Sequence, residues 1–464
     1  MRRLIGAVLG PFVFAGLLWV DLPVSREAAQ VAAVTGLMIV FWVTEALPVP
    51  VTALLGSVLC VALGVAPAAE VFAPYGDPVI FLFLGAFLVG EALQRTGLDR
   101  RIASTILGVR ALCSTPTRRL ATIGAITALL SMWMSNTAAA AVLMPVVLSL
   151  VGPGSPRDAP RAVLTVAYAA SIGGIATPIG TPPNLIAIAF LDRTDGVHIG
   201  FGDWIAFATP LMLILLATLW VLFARPGTRA PADRPEAGPP GRWTLAERLT
   251  ACVFLIMLVG WLAPSLASLL GGPEAARSVG SRWPEAIVAL SGAISLFALP
   301  SSVRPWRPIL DRESLARVDW GTILLFGGGL SLGALVGRTG LGEWVGRSLL
   351  DATGVESQAG LVFLSAASAV VLTEFMSNTA AISVVAPVVH AMAIESGVSS
   401  VPPVVAAALA ASMAFMLPVS TPPNAIAYGT GLVSIPEMLR RGILLDLVAT
   451  IAIGVWVIWF GPGS

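Results

Sequence analysis

The sequence predicts an all-α integral membrane protein built from two inverted-topology repeats. Its 464 residues are 56% hydrophobic and 11% charged, with a mean hydropathy of +0.88, whereas a soluble globular protein carries about 25% charged residues. Long apolar stretches recur along the chain, and two short polar motifs each occur twice at nearly the same spacing. The composition therefore places the chain in a bilayer, and the repeated spacing divides it into two related halves.

Apolar stretches long enough to cross a bilayer follow one another from the N-terminus. A hydrocarbon core of about 30 Å needs about 20 apolar residues in a helix. We expect about 11 transmembrane helices, at roughly 4–20, 28–44, 47–66, 79–94, 162–190, 204–224, 249–270, 284–300, 320–337, 401–430 and 442–461. Two further apolar stretches, about 120–151 and 358–395, are broken near their middles by polar motifs. We interpret these two as re-entrant helical hairpins, each of which enters and leaves on one side.

The first repeated motif is the pentapeptide Met-Ser-Asn-Thr-Ala, at Met134–Ala138 and again at Met376–Ala380. Its asparagines, Asn136 and Asn378, lie 242 positions apart (378 − 136). Ser, Asn and Thr cap helix N-termini, whose free N–H groups and positive dipole ends attract anions. Two such tips that meet near the middle of the membrane predict a binding site for a small anion. A single copy would favour mere helix–helix contact, but two copies in register argue against that interpretation.

The second repeated motif is Thr-Pro-Pro-Asn, which follows each pentapeptide at Thr181–Asn184 and Thr421–Asn424. Its threonines lie 240 positions apart (421 − 181). Paired prolines cannot lie inside a continuous helix, because they lack N–H groups and clash with the preceding turn. The helix must therefore open just before them. The carbonyl groups freed around Gly180 and Ser420 would then be available to a hard cation such as Na⁺.

The charge inventory indicates how a buried anion would be balanced. The net charge is +1, which gives no sign of a nucleic-acid partner, and all 27 basic residues are arginine, none of them inside the repeated motifs. A doubly negative anion in the middle of a bilayer needs compensation, because desolvating an isolated charge costs many kcal/mol. Bound Na⁺ would supply that charge. The sequence therefore predicts Na⁺ as the coupling ion, at two or more sites.

The arginines also predict the orientation in the bilayer. With the N-terminus in the cytoplasm, 21 arginines lie on the cytoplasmic side and 6 lie outside, in accord with the positive-inside rule. This distribution requires the first hairpin to enter from inside and the second from outside, which means inverted repeats. The Pro-, Gly- and Arg-rich segment at 225–245 then predicts an extended cytoplasmic linker between repeats at 1–224 and 246–464.

Three other polar features have simple structural interpretations. Glu374, beside the second pentapeptide, is either a proton-coupling carboxylate or, as we favour, an acid bonded to nearby backbone. The run Gly327–Gly329 predicts close helix packing rather than a phosphate loop, since the lysine of such a loop is absent. The two histidines, His198 and His390, are too few for a histidine metal cluster. No nucleophile–base pair is visible, so an enzyme is the least expected class.

At these repeated motifs the chain resembles the divalent anion:sodium symporter family, which includes bacterial dicarboxylate and citrate transporters. The resemblance extends over essentially the whole length. It implies a homodimer in the bacterial inner (cytoplasmic) membrane, in which a transport domain moves against a scaffold domain by an elevator mechanism. It also implies scaffold helices at 1–118 and 246–350, with the re-entrant hairpins and broken helices at 119–224 and 357–464.

The resemblance assigns roles to individual residues. The substrate contacts that it implies are Asn136, Thr137, Ser377, Asn378, Thr379, Thr421 and Pro422. The first sodium site that it implies comprises Ser131, Ser135, Asn136 and the carbonyl of Gly180. The second comprises Thr373, the carbonyl of Met376, Asn378 and the carbonyl of Ser420.

The leading hypothesis is therefore sodium-coupled symport of C4-dicarboxylates such as succinate, malate or fumarate. Two alternatives remain within transport, namely sodium-independent dicarboxylate exchange and a carrier for citrate or sulfate. A third belongs to another class, a channel or a substrate-binding membrane sensor.

Overall fold

The structure, a computed structural model, describes residues 2–109, 112, 115–151, 159–223 and 241–462. Most of the predicted linker at 225–245 lies outside these residues, and its description begins at Gly241. The described chain is helical almost throughout, which confirms the predicted all-α class, and it contains one small two-stranded sheet.

The described part of the first half forms eleven α-helices and one short 3₁₀ helix at Ala73–Gly76. The α-helices are α1 (Arg2–Trp19), α2 (Arg26–Thr44), α3 (Val49–Ala62), α4 (Ala68–Phe72), α5 (Pro78–Thr96), α6 (Leu98–Leu107), α7 (Pro116–Ser131), α8 (Asn136–Val151), α9 (Ala159–Gly174), α10 (Pro182–Asp195) and α11 (Phe201–Phe223). Local chemistry sets these bounds. For example, Asp77 caps α5 by accepting a hydrogen bond from the N–H of Val79, and Gly97 ends that helix in the left-handed conformation.

The described part of the second half forms ten α-helices and an antiparallel pair of strands. They are α12 (Leu245–Arg282), α13 (Glu285–Ala298), β1 (Pro300–Val303), β2 (Trp306–Pro308), α14 (Arg312–Ala316), α15 (Trp320–Arg338), α16 (Leu341–Thr353), α17 (Gln358–Thr373), α18 (Asn378–Glu395), α19 (Val401–Ala410), α20 (Pro422–Gly429) and α21 (Ile435–Phe460). Helix α12 is longer than the predicted span at 249–270. It bends at Gly272, whose φ of 74° favours glycine, just before Pro273.

Eight helices in the described residues are long and apolar enough to cross a membrane, and a ninth span is added if α16 and α17, bent by 99°, are counted together. Other predicted spans are present as shorter pieces. The stretch at 162–190 is divided into α9 and α10, and the stretch at 401–430 into α19 and α20. The spans at 47–66 and 284–300 appear as helices of 14 residues. The breaks in this fold therefore fall where the prolines require them.

The two halves interleave in the helical core. Helix α5 packs on α13, and α3 packs on α15. These contacts are close: a Cβ added to Gly85 would lie 2.6 Å from the backbone of Ala289, and one added to Gly328 would lie 2.7 Å from Ala53. A Cβ on Gly327 would lie 2.4 Å from the ring of Tyr75. This confirms the prediction that the glycine run serves close packing.

Corresponding helices begin at nearly constant spacing in the two halves. Helices α8 and α18 begin 242 positions apart (378 − 136), and α10 and α20 begin 240 positions apart (422 − 182). The order of elements is also shared, because a helix–turn–helix is followed by a broken helix in each half. The inverted orientation of the halves and the division into scaffold and transport domains stay predictions.

Candidate functional site

Each pentapeptide forms the turn between two helices. Helix α7 ends at Ser131 and α8 begins at Asn136, while α17 ends at Thr373 and α18 begins at Asn378. The helix starts are capped by the preceding serines. The hydroxyl of Ser135 accepts a hydrogen bond from the N–H of Ala138 at 3.2 Å, and Ser377 accepts one from Ala380 at 3.2 Å. The predicted arrangement of capped N-termini at two turns is therefore confirmed.

Each Thr-Pro-Pro-Asn motif follows a helix break of several residues. Helix α9 ends at Gly174 and α10 begins at Pro182, while α19 ends at Ala410 and α20 begins at Pro422. The prolines occupy the first turn of each new helix, where their missing N–H groups leave no bond unmade. The predicted opening of both helices is thus confirmed.

The motif asparagines hold the broken segments in shape, a role that the sequence analysis missed. The Asn184 side-chain amide donates to the carbonyls of Gly174 at 3.1 Å and Thr177 at 2.8 Å. In the second half, Asn424 donates to the carbonyls of Ala414 at 2.9 Å and Leu417 at 3.0 Å. All these spacings are 240 positions, so the same device occurs in both halves. The sequence feature that could have predicted this role is the asparagine that ends each Thr-Pro-Pro-Asn motif.

The first turn lies against the first break and gathers oxygen atoms there. The hydroxyl of Ser131 lies 2.6 Å from Asn136 Oδ1 and 2.7 Å from the carbonyl of Ala170, and either can accept its proton. A Cβ added to Gly180 would lie 2.5 Å from the carbonyl oxygen of Gly174 and 3.0 Å from that of Ser131. Ser131, Asn136 and Gly180, three of the residues assigned to the first sodium site, therefore lie together.

The second turn repeats this geometry. The hydroxyl of Thr373 lies 2.8 Å from Asn378 Oδ1 and 2.7 Å from the carbonyl of Ala411. Thr373 and Ser131 are 242 positions apart (373 − 131), as are the two asparagines, so each cluster joins a hydroxyl, a side-chain amide and a carbonyl of the broken helix. Ser420 is brought to the same turn, since its hydroxyl oxygen lies 3.1 Å from the backbone carbonyl oxygen of Glu374.

Glu374 connects the second turn to the second break. Its side chain is fully buried, and its carboxylate accepts hydrogen bonds from the N–H groups of Met416 at 2.8 Å and Leu417 at 3.1 Å, and from the hydroxyl of Ser420. Bonding to nearby backbone was the interpretation that we favoured from the sequence, and it is confirmed. Hydrogen bonds to a buried carboxylate are worth about 1.5–3 kcal/mol each.

The two breaks also touch each other. The hydroxyl of Ser412, just after α19, donates to Thr181 Oγ1 at 3.2 Å. The hydroxyl of Tyr168 on α9 donates to the carbonyl of Phe415 at 2.8 Å. Segments about 240 residues apart in sequence thus form one polar centre inside an apolar core.

The residues assigned to substrate contact lie around this centre but do not share one environment. Thr137 lines a cavity of about 270 Å³ between α5 and the first turn, together with Ser135, which was assigned to the first sodium site. Asn136 and Asn378 belong to the oxygen clusters, Thr379 is buried in α18, and Thr421 and Pro422 begin α20, where Thr421 accepts a hydrogen bond from the N–H of Asn424 at 3.4 Å. Of the second sodium set, Met376 could offer Na⁺ only its backbone carbonyl, because its thioether is a soft ligand.

One positive charge reaches the second turn from elsewhere in the chain. A guanidinium nitrogen of Arg2, at the start of α1, donates to the carbonyl of Phe375 at 2.7 Å. No arginine lies inside the motifs, so the sequence by itself predicts turns free of fixed positive charge. Arg2 and Phe375 are 373 positions apart in sequence, so helix packing brings them together. Arg2 contacts a backbone carbonyl of the turn and not the side chain of Asn136 or Asn378.

Comparison with known proteins places this geometry among transporters. Residues 39–411 match the family described as citrate transporter. The chain is 32% identical to the sodium-dependent dicarboxylate transporter SdcS of Staphylococcus saprophyticus over 482 positions, and 31% identical to SdcS of Staphylococcus aureus over 486. Each alignment covers 99% of this chain and 91% of the relative.

Solved structures share the fold at much lower sequence identity. The YdaH transporter of Alcanivorax borkumensis superposes with a TM-score of 0.57 at 17% identity, covering 99% of this chain and 97% of that one. MtrF of Neisseria gonorrhoeae gives a TM-score of 0.57 at 13% identity, covering 96% and 97%. These two likenesses describe architecture alone.

Proposed function

This chain matches the citrate-transporter family model and, by its relatives, belongs to the divalent anion:sodium symporters. We propose that it couples the uptake of C4-dicarboxylates to Na⁺ across the bacterial cytoplasmic membrane. Its family consists of transporters, so it is not an enzyme. The observation that carries the proposal is the paired cluster: Ser131 with Asn136 at one turn, and Thr373 with Asn378 at the other.

The clusters offer Na⁺ hard oxygen ligands. The carbonyl oxygens of Gly174 and Ser131 approach Gly180 closely, and the side-chain oxygen of Asn136 approaches Gly174, so several oxygens gather at the first break where no side chain lies between them. Carbonyls of unwound helix and hydroxyl oxygens are what sodium-coupled carriers use near the middle of the membrane. The donor set therefore fits Na⁺, and one ion at each cluster would balance a dianion.

The dicarboxylate would lie between the two turns. Each turn presents a helix start with free N–H groups and small hydroxyl side chains, among them Thr137 and Thr379. A substrate with a carboxylate at each end would use one turn for each end, which explains why the motif occurs twice. The relatives named above are called sodium-dependent dicarboxylate transporters, which supports this substrate class.

Alternating access would follow if the polar centre formed by the two turns and the two breaks moved across the membrane as a rigid unit. The two breaks are tied to each other by Ser412 and Tyr168, and each turn is tied to its break by the clusters. This unit would move as one transport domain against scaffold helices, in an elevator mechanism within a homodimer of inverted repeats. Its extensive internal bonding supports motion as a body over piecemeal rearrangement.

The decisive test is uptake of labelled succinate by the purified protein in proteoliposomes. We expect accumulation with an inward Na⁺ gradient and little with K⁺ or choline in its place. Equal uptake in all three salts, with stimulation by internal dicarboxylate, would instead identify a sodium-independent exchanger. No uptake and no counterflow, with retained binding, would leave a sensor.

Citrate is the second candidate substrate, because the family that matches residues 39–411 is described as citrate transporter. A competition panel of succinate, malate, fumarate, citrate and sulfate against labelled succinate ranks them directly. We expect the C4-dicarboxylates to compete at the lowest concentrations.

A further inference from the structure

A cavity of about 270 Å³ leads to the first turn, and its lining is polar on one side. Ser135 and Thr137 contribute the turn side, while Glu91 and Gln94 of α5 face them together with Arg317. By the arginine distribution, this end of α5 faces the cytoplasm. The cavity thus provides a route between the cytoplasm and the residues assigned to the substrate.

Arg317 is the positively charged residue among those described that line this cavity. Its guanidinium forms an ion pair with the Glu91 carboxylate at 3.0 Å, and the Arg317 side chain is 59% exposed whereas that of Glu91 is 16% exposed. Asp319 also lines the cavity, but its carboxylate is engaged in capping α15 through the N–H and hydroxyl of Thr322. The arginine is therefore the more exposed partner of this pair, and the glutamate is the more buried one.

A second ion pair holds Arg317 in position. Arg95, one turn after Glu91 on α5, donates to the hydroxyl of Ser314 at 2.7 Å and pairs with Asp311, which caps α14. The Arg95 guanidinium keeps the pKa of the Asp311 carboxyl well below its usual range, so this pair stays ionised at neutral pH. Because Arg317 directly follows α14, anchoring that short helix to α5 places Arg317 beside the cavity.

Comparison of the two halves shows that the ion pair of Arg95 with Asp311 has a counterpart, whereas Glu91, the partner of Arg317, has none. Arg95 corresponds to Arg338 at a spacing of 243 positions (338 − 95), and Arg338 likewise forms an ion pair, with Glu70. At the same spacing Glu91 corresponds to Ala334 (91 + 243). The anchoring pair is repeated, but the glutamate that holds Arg317 is not, so the architecture does not require it.

We propose that Arg317 is a docking residue for the dicarboxylate on the cytoplasmic route, and that it exchanges the carboxylate of Glu91 for a carboxylate of the substrate. This inference rests on the proposed function. A guanidinium binds carboxylates in a planar fork, so the two partners are interchangeable for it. A partly exposed ion pair is weak, so releasing Glu91 opposes substrate docking only slightly.

The test compares KM for succinate at the two membrane faces, in vesicles of known orientation, for Arg317→Gln and Glu91→Gln. Arg317→Gln should raise KM at the cytoplasmic face about 5-fold, since the docking charge is lost. Glu91→Gln should lower it, because Arg317 is freed of its competitor. KM at the outer face should not change in either variant. Arg317→Lys, which keeps the charge but lacks the planar fork, should give a KM between those of the wild type and Arg317→Gln.

The matched control is Arg312→Gln, an exposed arginine on α14 that does not line the cavity, and its KM should equal that of the wild type. Shifts of the same sign for Arg317→Gln and Glu91→Gln would show a structural ion pair and overturn the proposal, as would no shift in either. Wild-type protein without succinate transport would instead refute the proposed function, so the two failures are distinguishable.

Discussion

The hydroxyl of Thr373 lies 2.8 Å from the side-chain oxygen of Asn378, across the turn between α17 and α18. The same hydroxyl lies 2.7 Å from the carbonyl of Ala411 in the second break. One oxygen atom thus joins a turn to a broken helix. Ser131 makes the equivalent pair of contacts in the first half, so this junction is a repeated structural unit.

Replacing the turn asparagines should abolish transport. Asn378→Ala removes an oxygen assigned to both the sodium site and the substrate, and Asn136→Ala does the same in the first half. We expect sodium-stimulated succinate uptake to fall to the level of empty proteoliposomes for each variant, while size-exclusion chromatography still shows the elution volume of the wild type. Uptake like that of the wild type in either variant would remove that asparagine from the site.

Removing the hydroxyl of Thr373, which joins the second turn to the second break, should weaken Na⁺ binding selectively. Thr373→Val keeps the side-chain shape but loses the oxygen, so the Na⁺ concentration for half-maximal uptake should rise about 10-fold, equivalent to about 1.4 kcal/mol. The control is Ser368→Ala on the same helix, whose hydroxyl bonds the carbonyl of Leu364 in its own helix. An unchanged sodium dependence in Thr373→Val would contradict the assignment.

A methyl group at the first break should close the first cation site. In Gly180→Ala the new Cβ would lie 2.5 Å from the carbonyl oxygen of Gly174, closer than real Cβ contacts, so carbonyls must shift. Sodium stimulation of uptake should therefore be lost. Gly429→Ala at the end of α20 is the matched control, because its Cβ would meet no atom within 4 Å. If both variants transported equally, the close approach of the carbonyls to Gly180 would have no role in sodium coupling.

Neutralising Glu374 should reduce stability. Glu374→Gln replaces one carboxylate oxygen with an NH₂ group that faces N–H or O–H donors, so at least one buried bond worth about 1.5–3 kcal/mol is lost. We expect a lower apparent melting temperature of the detergent-purified protein. Glu356→Gln, at an exposed glutamate, should melt like the wild type. An unchanged melting temperature with an altered pH profile of uptake would favour the proton-coupling alternative.

Much of the site was predictable because its signals are local. The prolines of both tetrapeptides predict the breaks from the chemistry of one residue type, and the serines that precede Asn136 and Asn378 predict capped helix starts. The structural roles of Asn184 and Asn424 were not predicted. Their carbonyl partners lie up to ten positions earlier in broken segments, whose path no periodicity describes.

The amino-acid sequence alone determined the membrane class, the duplication and the places where helices stop, because composition, spacing and proline chemistry act along the chain. Tertiary structure decided which oxygens meet. The contact of Ser412 with Thr181, the reach of Arg2 to Phe375 and the pairing of Arg317 with Glu91 each join segments more than 200 positions apart. Such contacts depend on how whole helices pack, and no local pattern encodes that packing.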